Sequence, residues 1–318
     1  MGIKEFCDKS NKLLYSLARC YGEYPIYHYT SLEGMHGIIS NSTIRFTNRF
    51  CLNDRSEGFY VFTLLENNID KIIPRDHPLH KLKDDIKDKA REHSEKLPEN
   101  SSCVYQASFS LDGDSLCLWN YYTKGDNIEG YNLGLNPKEI QKSIRKYLSK
   151  KRKKPYVLCH KVIYNEEKQI NMLRKWLLGM YDAIEGEVKE DNQVCRNRHG
   201  LKMEEYIFGR IATLGAFFKD PCFSIENEYR LSIDLVCDYD SVNDKIITYG
   251  VDTERQSLCK KGMIVPYYDF KFDLSAIKSI TASPTIDTND TLKNMKVFFK
   301  NKGMEQVDFS KSKIPVRF

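Results

Sequence analysis

The segment Phe223-Ser224-Ile225-Glu226-Asn227-Glu228-Tyr229-Arg230 opens a stretch with the alternating pattern of a β-strand. Successive side chains of a strand point to opposite faces, so the two glutamates and the arginine are expected on one face and Tyr229 on the other. Such a row is either a set of surface ion pairs or the edge of an active site, in which Arg230 keeps Glu228 ionised and oriented. The pattern alone leaves both interpretations open.

Outward from this segment, strand and helix patterns are mixed irregularly. Strands are predicted at 26–30, 43–47, 104–110, 130–135, 156–164, 228–237, 246–251, 263–270, 276–282 and 305–309. Helices are predicted at 31–39, 115–122, 166–185, 203–218 and 289–302. Because no regular βαβ period connects them, the pattern favours an α+β fold over a doubly wound α/β fold.

The predicted organisation is an N-terminal helix within residues 1–25, followed by a single α+β domain over 26–318. Helical insertions are expected near 66–100 and 165–218. No GxGxxG fingerprint and no Walker loop is present in the sequence, which argues against the common nucleotide-binding folds.

The composition is that of a water-soluble protein with 318 residues, of which 41% are hydrophobic and 29% charged. No stretch approaches the roughly 18 apolar residues of a membrane-spanning helix, and the N-terminus lacks the apolar core of a signal peptide. A cytoplasmic protein is therefore expected, with no membrane contact. The ten cysteines include no CxxC pair, so no metal site is predicted.

The net charge of +5 comes from one basic segment, residues 145–175, which holds 11 Lys and Arg against 2 acidic residues. Its centre is the run Lys150-Lys151-Arg152-Lys153-Lys154. This segment is either a solvated loop between a helix and a strand or a docking surface for the phosphate backbone of a nucleic acid.

Two further constellations carry chemistry-bearing side chains. Tyr27-His28-Tyr29-Thr30 places a histidine on a predicted strand, where a structural, hydrogen-bonded role competes with a functional one. Ser108-Phe109-Ser110 is followed by a short helix with Trp119 and Tyr122, an aromatic group that suits either core packing or the stacking of a ligand ring.

Taken in order, several segments resemble the bacterial domain-of-unknown-function family 2971, over about residues 26–318. These segments are His28–Gly34, Asn53-Asp54 with Ser56-Glu57, Ser108–Ser110 with Trp119 and Tyr122, Phe218–Pro221 with Glu226–Arg230, Ile264–Tyr267, and Ser312–Pro315. The resemblance implies an ADP-ribosyltransferase-like protein, with a split mixed or antiparallel sheet that clasps NAD as a substrate.

The same resemblance implies roles for individual residues, after the His-Tyr-Glu pattern of that group. Glu228 and His28 would be catalytic, with His28 contacting the ribose next to nicotinamide and Glu228 holding its 2′-hydroxyl. The residues implied to contact NAD are His28, Tyr29, Thr30, Ser108, Ser110, Trp119, Tyr122 and Arg230. The middle position of the pattern stays open, between the serines of 108–110 and the rings of Trp119, Tyr121 and Tyr122.

Two hypotheses of function follow. The first is an NAD-consuming enzyme that transfers ADP-ribose to a macromolecule or hydrolyses NAD, in a bacterial toxin or phage-defence effector, with a partner protein encoded in the same operon. The second is a non-enzymatic nucleic-acid or nucleotide-binding module of a defence system, motivated by the basic segment.

The enzyme hypothesis makes a geometric prediction. Glu228 is expected in a concave, partly solvated cleft, with His28 on a neighbouring strand about one nicotinamide riboside away and Arg230 beside it. Side chains of His28 and Glu228 on opposite faces of the sheet would end the enzyme hypothesis outright.

Overall fold

The computed structural model describes residues 24–54, 56–95, 104–123, 129–148, 155–188, 203–240, 245–249, 251, 253–260 and 262–315. The helix predicted within 1–25 lies outside these residues, apart from its last two positions. The chain forms two compact units. A helical unit takes its described residues from 52–101 and 161–224, and a sheet unit takes its residues from 20–51, 102–160 and 225–318. The described residues of the segments near 66–100 and 165–218, predicted as helical insertions, belong to the helical unit.

The strands in chain order are β1 Ile26–Thr30, β2 Thr43–Asn48, β3 Val104–Ser110, β4 Tyr131–Leu135, β5 Tyr156–Lys161, β6 Glu228–Asp234, β7 Val236–Asp240, β8 Lys245–Tyr249, β9 Gln256–Lys260, β10 Met263–Lys271, β11 Ile277–Ala282 and β12 Asp308–Lys311. The α-helices are α1 Leu32–Asn41, α2 Tyr60–Asn67, α3 Ile69–Ile72, α4 Lys83–Glu95, α5 Leu116–Tyr122, α6 Pro137–Tyr147, α7 Glu166–Val188, α8 Met203–Gly215 and α9 Thr288–Asn301. The mixed α+β class is thus confirmed.

The helical unit contains α2, α3, α4, α7 and α8. Helix α2 packs against α4, α7 and α8 and buries Val61, Phe62 and Leu65. Helix α4 is amphipathic only in part, with Ala90 as its buried residue. Most of its other residues are charged.

Ten strands of the sheet unit form one open sheet in the order β12-β11-β4-β1-β3-β2-β10-β9. Strand β6 pairs with β3, and β5 pairs with β6. The pairing is antiparallel between β1, β2, β3, β4, β6, β9, β10 and β11, whereas β11 and β12 are parallel. Strands β7 and β8 form a separate two-stranded sheet.

The sheet forks at β3. Strand β6 pairs with every residue of β3, from Val104 to Ser110. The other edge of β3 is shared by two strands: β2 pairs at Tyr105 and Gln106, and β1 pairs at Ser110 through Tyr27. Strands β1 and β2 therefore leave β3 in separate branches, and the edge of β3 between Ala107 and Phe109 is open.

The two faces of this sheet differ in chemistry because polar and apolar residues alternate along its strands. In β6, Tyr229, Leu231 and Ile233 belong to the apolar core, together with Phe109 of β3 and Leu133 of β4. Glu228, Arg230 and Ser232 point to the other side, which we call the polar face. The predicted separation of Tyr229 from the two charged residues is confirmed.

Helix α1 follows β1 directly, and the residues at its two ends explain where it begins and stops. Ser31 is its N-cap, and the Ser31 Oγ accepts a hydrogen bond from the Gly34 N–H at 3.2 Å. The helix ends at Ser42, which adopts a left-handed conformation with φ of 53°. Met35 and Ile39 anchor α1 to the apolar core.

Candidate functional site

The candidate site is the end of the polar face where β1, β3 and β6 meet. Tyr27 pairs with Ser110, and Ser110 pairs with Glu228. Residues that are directly opposite in antiparallel strands share a face, so these three side chains form one row across the sheet. The row brings together residues that are far apart in the sequence.

Glu228 and Arg230 form a buried bidentate ion pair on this face. Arg230 donates from Nε to Glu228 Oε1 at 2.8 Å and from Nη2 to Oε2 at 3.0 Å. Arg230 is 0% exposed and Glu228 is 3% exposed. The predicted contact between the two side chains is present, but the prediction of a partly solvated cleft around Glu228 is wrong, because both carboxylate oxygens are buried against the guanidinium.

A second buried network lies next to this ion pair and was missed in the sequence. Gln106 Nε2 donates to Ser232 Oγ at 3.1 Å, and Ser232 Oγ lies 3.1 Å from Nε2 of His160 on β5. Burial, with a smaller contribution from the Arg230 charge, lowers the pKa of His160 to about 3. The imidazole is therefore neutral at pH 7, and its Nε2 shares a hydrogen bond with the Ser232 hydroxyl.

His28 lies on the other face of the sheet from Glu228. Its neighbour Tyr27 is in the row with Glu228, so alternation turns His28 toward the apolar face, where its ring is 5.5 Å from that of Phe109. The prediction that His28 and Glu228 face one cleft is thus wrong. His28 Nδ1 instead lies 3.1 Å from the carbonyl oxygen of Ser108, on the open edge of β3.

This position gives His28 a structural explanation. The Ser108 carbonyl has no strand partner on the forked edge, and the neutral ring can donate its Nδ1 proton to it. Burial lowers the pKa of His28, partly opposed by the bond to the Ser108 carbonyl. Thr30 has the same parity as His28 on β1 and is also directed away from the polar face.

Glu226 is the carboxylate nearer to solvent. It is half-buried at the end of a short 3-10 helix, and its Oε1 accepts a hydrogen bond from the Tyr122 hydroxyl at 3.3 Å. The Ser110 hydroxyl donates to the Glu226 carbonyl oxygen at 2.8 Å. Asn227 then adopts a left-handed conformation, with φ of 41°, which turns the chain into β6.

The predicted aromatic group is present, but its members differ in accessibility. Tyr29 and Trp119 are buried and meet edge to face at 4.7 Å, with Tyr27 and Tyr122 half-buried around them. The Tyr29 hydroxyl donates to the Asp112 carbonyl and accepts from the Ser115 N–H, and burial raises the pKa of Tyr29. Tyr29 and Trp119 are therefore part of the packed interior beneath the site, whereas Tyr27 and Tyr122 have ring surface exposed that a ligand could contact.

Ser108 and Ser110 both lie on the polar face, opposite Arg230 and Glu228 respectively. The predicted set thus divides in two. Tyr29, Ser108, Ser110, Trp119, Tyr122, Glu228 and Arg230 share the polar side of the sheet, and His28 and Thr30 do not. Glu226 also belongs to the site, although the predicted set did not include it. In the sequence, it was indicated only by its place in the row Glu226–Arg230.

Two residues at the start of the basic segment 145–175 are engaged with other parts of the chain. Arg145 donates to the Val157 carbonyl, and Lys146 pairs with Asp273 at 3.1 Å. Residues 150–154, the centre of the predicted docking surface, lie outside the described residues. Lys161, Arg174 and Lys175 are exposed.

Within the described ranges, no helix has the length and apolar character needed to cross a membrane. The same ranges contain no group of three or more His, Cys, Asp or Glu side chains arranged to hold a metal ion.

The fold and site define an α+β protein with a mostly antiparallel open sheet and a buried Glu–Arg pair on its polar face. Residues 118–231 match the family described as "Protein of unknown function (DUF2971)". The match includes Trp119, Tyr122 and the Glu226–Arg230 row, and it supports the resemblance over a little more than a third of the chain. The His28–Gly34 segment lies outside it. No curated protein and no solved structure matches this chain.

Proposed function

We propose that this protein cleaves NAD at the polar face of its sheet, next to the start of β6, as an ADP-ribosyltransferase-like enzyme. One observation carries the proposal: two carboxylates lie at the start of β6 beside a half-buried tyrosine. Glu226 ends the 3-10 helix that precedes β6 and bonds to Tyr122, and Glu228 is the first residue of β6. A ring of nicotinamide size needs an aromatic surface, and the ribose next to it needs a fixed carboxylate.

The reaction would break the bond between nicotinamide nitrogen and the ribose carbon, with the bonding electrons leaving on nicotinamide. Water or a macromolecular nucleophile then bonds to that ribose carbon and releases a proton. Positive charge develops on the ribose in between. The half-buried Glu226 carboxylate would meet that charge, whereas the buried Glu228 would stabilise it through its electrostatic field. The bidentate contact with Arg230 fixes the orientation of Glu228.

The opposite faces of His28 and Glu228 end the enzyme hypothesis as formulated from the sequence. The present proposal is a different one, which rests on Glu226 and Glu228 and gives His28 no catalytic role. Its ring lies on the apolar face and bonds to the Ser108 carbonyl, so it holds β1 to β3 at the fork. The acceptor of ADP-ribose would dock on the basic segment 145–175, whose charge suits a nucleic acid or an acidic protein surface.

Nicotinamide release from NAD by the purified full chain tests the proposal, with and without cell lysate as a source of acceptors. Glu228→Gln should lower the rate by roughly 10²–10³, the loss that follows removal of one transition-state partner. Glu139→Gln, which changes an exposed glutamate paired with Lys278, is the matched control.

Glu228→Gln also weakens a buried ion pair, so a second variant separates chemistry from folding. Tyr122→Phe removes one hydroxyl and its bond to Glu226 and leaves the Glu228–Arg230 pair intact. We expect a folded protein with reduced nicotinamide release. No release by the parent chain above Glu228→Gln would refute the proposal, as would full activity in both variants.

A further inference from the structure

The C-terminal segment Ser312–Pro315 is a sequence marker that the proposed site does not use. The segment follows β12, and the Ser312 N–H donates to the Ala282 carbonyl of β11 at 2.8 Å. Ser312 is buried and Ile314 is half-buried. Ile314 packs against the cluster of Tyr29, Leu118 and Trp119.

Asp114 connects this segment to helix α5 through both of its carboxylate oxygens. Oδ1 accepts from the Trp119 indole N–H at 2.9 Å and from the Ser312 hydroxyl at 2.6 Å. Oδ2 accepts from the Lys313 N–H at 2.8 Å. Hydrogen bonds to an ionised acceptor are stronger than neutral ones, so the three contacts form a firm clamp.

The clamp acts on the helix that carries Tyr122. Trp119 and Tyr122 are three residues apart on α5, one turn of the helix. Fixing Trp119 against Asp114 and Ile314 therefore sets the rotation of α5, and with it the approach of the Tyr122 hydroxyl to Glu226.

We propose that Asp114 is a positioning residue: it clamps the C-terminal segment and Trp119 together, and thereby holds Tyr122 against Glu226. This inference rests on the proposed function where it concerns catalysis, since Tyr122 and Glu226 belong to that site. Its structural half, the clamp on α5, can be tested without any reaction.

The sequence contains two tryptophans, so Trp176→Phe leaves Trp119 as a single fluorescent reporter. In that background, Asp114→Asn and Ser312→Ala should increase acrylamide quenching of Trp119 and hydrogen exchange in residues 116–122. The value of kcat/KM for nicotinamide release should fall about tenfold, which corresponds to losing one hydrogen bond to a charged group. Ser312→Thr keeps the hydroxyl and should restore the parent values.

The matched controls lie two residues away in each case. Asp112→Asn removes a carboxylate whose side-chain bond is to the Asp114 N–H, and Ser310→Ala removes a hydroxyl that meets Thr281. Both should leave Trp119 quenching and kcat/KM unchanged.

Unchanged quenching and exchange in Asp114→Asn, or equal effects in Asp112→Asn, would overturn the clamp. Increased quenching with an unchanged kcat/KM would overturn the positioning role. Absence of nicotinamide release in the parent would refute the proposed function and the catalytic half of this inference, while the quenching and exchange data would still decide the structural half.

Discussion

The buried ion pair of Glu228 and Arg230 affects the stability of the fold in two opposite ways. Burying two charges carries a large desolvation penalty, which good geometry only partly repays. The bidentate contact at 2.8 and 3.0 Å is the geometry that repays most. Removing one partner is therefore expected to cost far more than removing both.

Arg230→Met should lower the free energy of unfolding by about 3–5 kcal/mol, since it leaves a buried carboxylate without its cation. The double variant Glu228→Gln/Arg230→Met should recover a large part of that loss. Urea denaturation followed by circular dichroism measures both. Lys278→Met breaks the exposed pair with Glu139 and should cost no more than about 1 kcal/mol.

A double variant that is as unstable as Arg230→Met would contradict this interpretation, because the loss would then come from the packing of the arginine side chain.

His160 predicts a dependence of stability on acid pH. Its pKa is about 3 in the folded chain and about 6.5 when unfolded, so the unfolded state binds the proton first. The full stability is present above pH 6.5 and is lost as pH falls toward 3, at up to about 1.4 kcal/mol per pH unit. Urea midpoints at several pH values in this range measure the loss.

His160→Gln supplies a neutral side chain that still meets Ser232, and it should flatten the curve below pH 6.5. A variant with the slope of the parent would show that other groups cause the acid sensitivity.

At the scale of elements, the fork between β1 and β2 shapes the site. Strand β1 leaves β3 after a single residue pair, Tyr27 with Ser110, and continues along β4 over all five of its residues. In this geometry the backbone just before β4 comes very close to the backbone at the end of β1. Gly130, just before β4, meets that need: a Cβ there would lie 2.7 Å from the Thr30 carbonyl oxygen.

Gly130→Ala should therefore destabilise the protein by about 1–3 kcal/mol, because a backbone oxygen cannot move aside as a side chain can. Gly37→Ala is the matched control in α1. Nothing lies within 4 Å of a Cβ at Gly37, so alanine should stabilise the helix by about 0.5–1 kcal/mol. Thermal unfolding of both variants checks the opposite signs, and equal signs would contradict the close-approach argument.

At the scale of the whole molecule, the charge is concentrated in residues 145–175 while the candidate site carries paired charges. Substrate docking and NAD cleavage should therefore respond differently to salt. Transfer of ADP-ribose to a nucleic-acid acceptor should fall steeply between roughly 50 and 200 mM salt, because counterions compete with the basic segment. Nicotinamide release without acceptor should change little.

Replacing Lys150, Lys151, Lys153 and Lys154 by Gln should reduce transfer and its salt dependence without changing that release. If the replacement left transfer at the level of the parent protein, the basic segment would be a solvated loop, the first of the two interpretations of its charge.

Much of the fold was accessible from the sequence because it depends on local patterns. Alternation in β6 placed Glu228 and Arg230 on one face and Tyr229 in the core, and the helix predicted at 31–39 is present as α1. Such predictions need only a few neighbouring residues. The last strand was predicted at 305–309 and lies at Asp308–Lys311, since a short edge strand carries little apolar pattern.

The composition of the site was decided by tertiary structure. His28 and Ser110 are 82 positions apart, and only the pairing of Tyr27 with Ser110 sets which face His28 takes. A shift of one residue would have turned His28 toward Glu228, because side chains alternate with a period of two. The burial of Glu228 and its neighbour His160 likewise depends on β3, β5 and β6 coming together. The sequence by itself determined which side chains alternate within each strand, whereas the register between distant strands determined which of them meet.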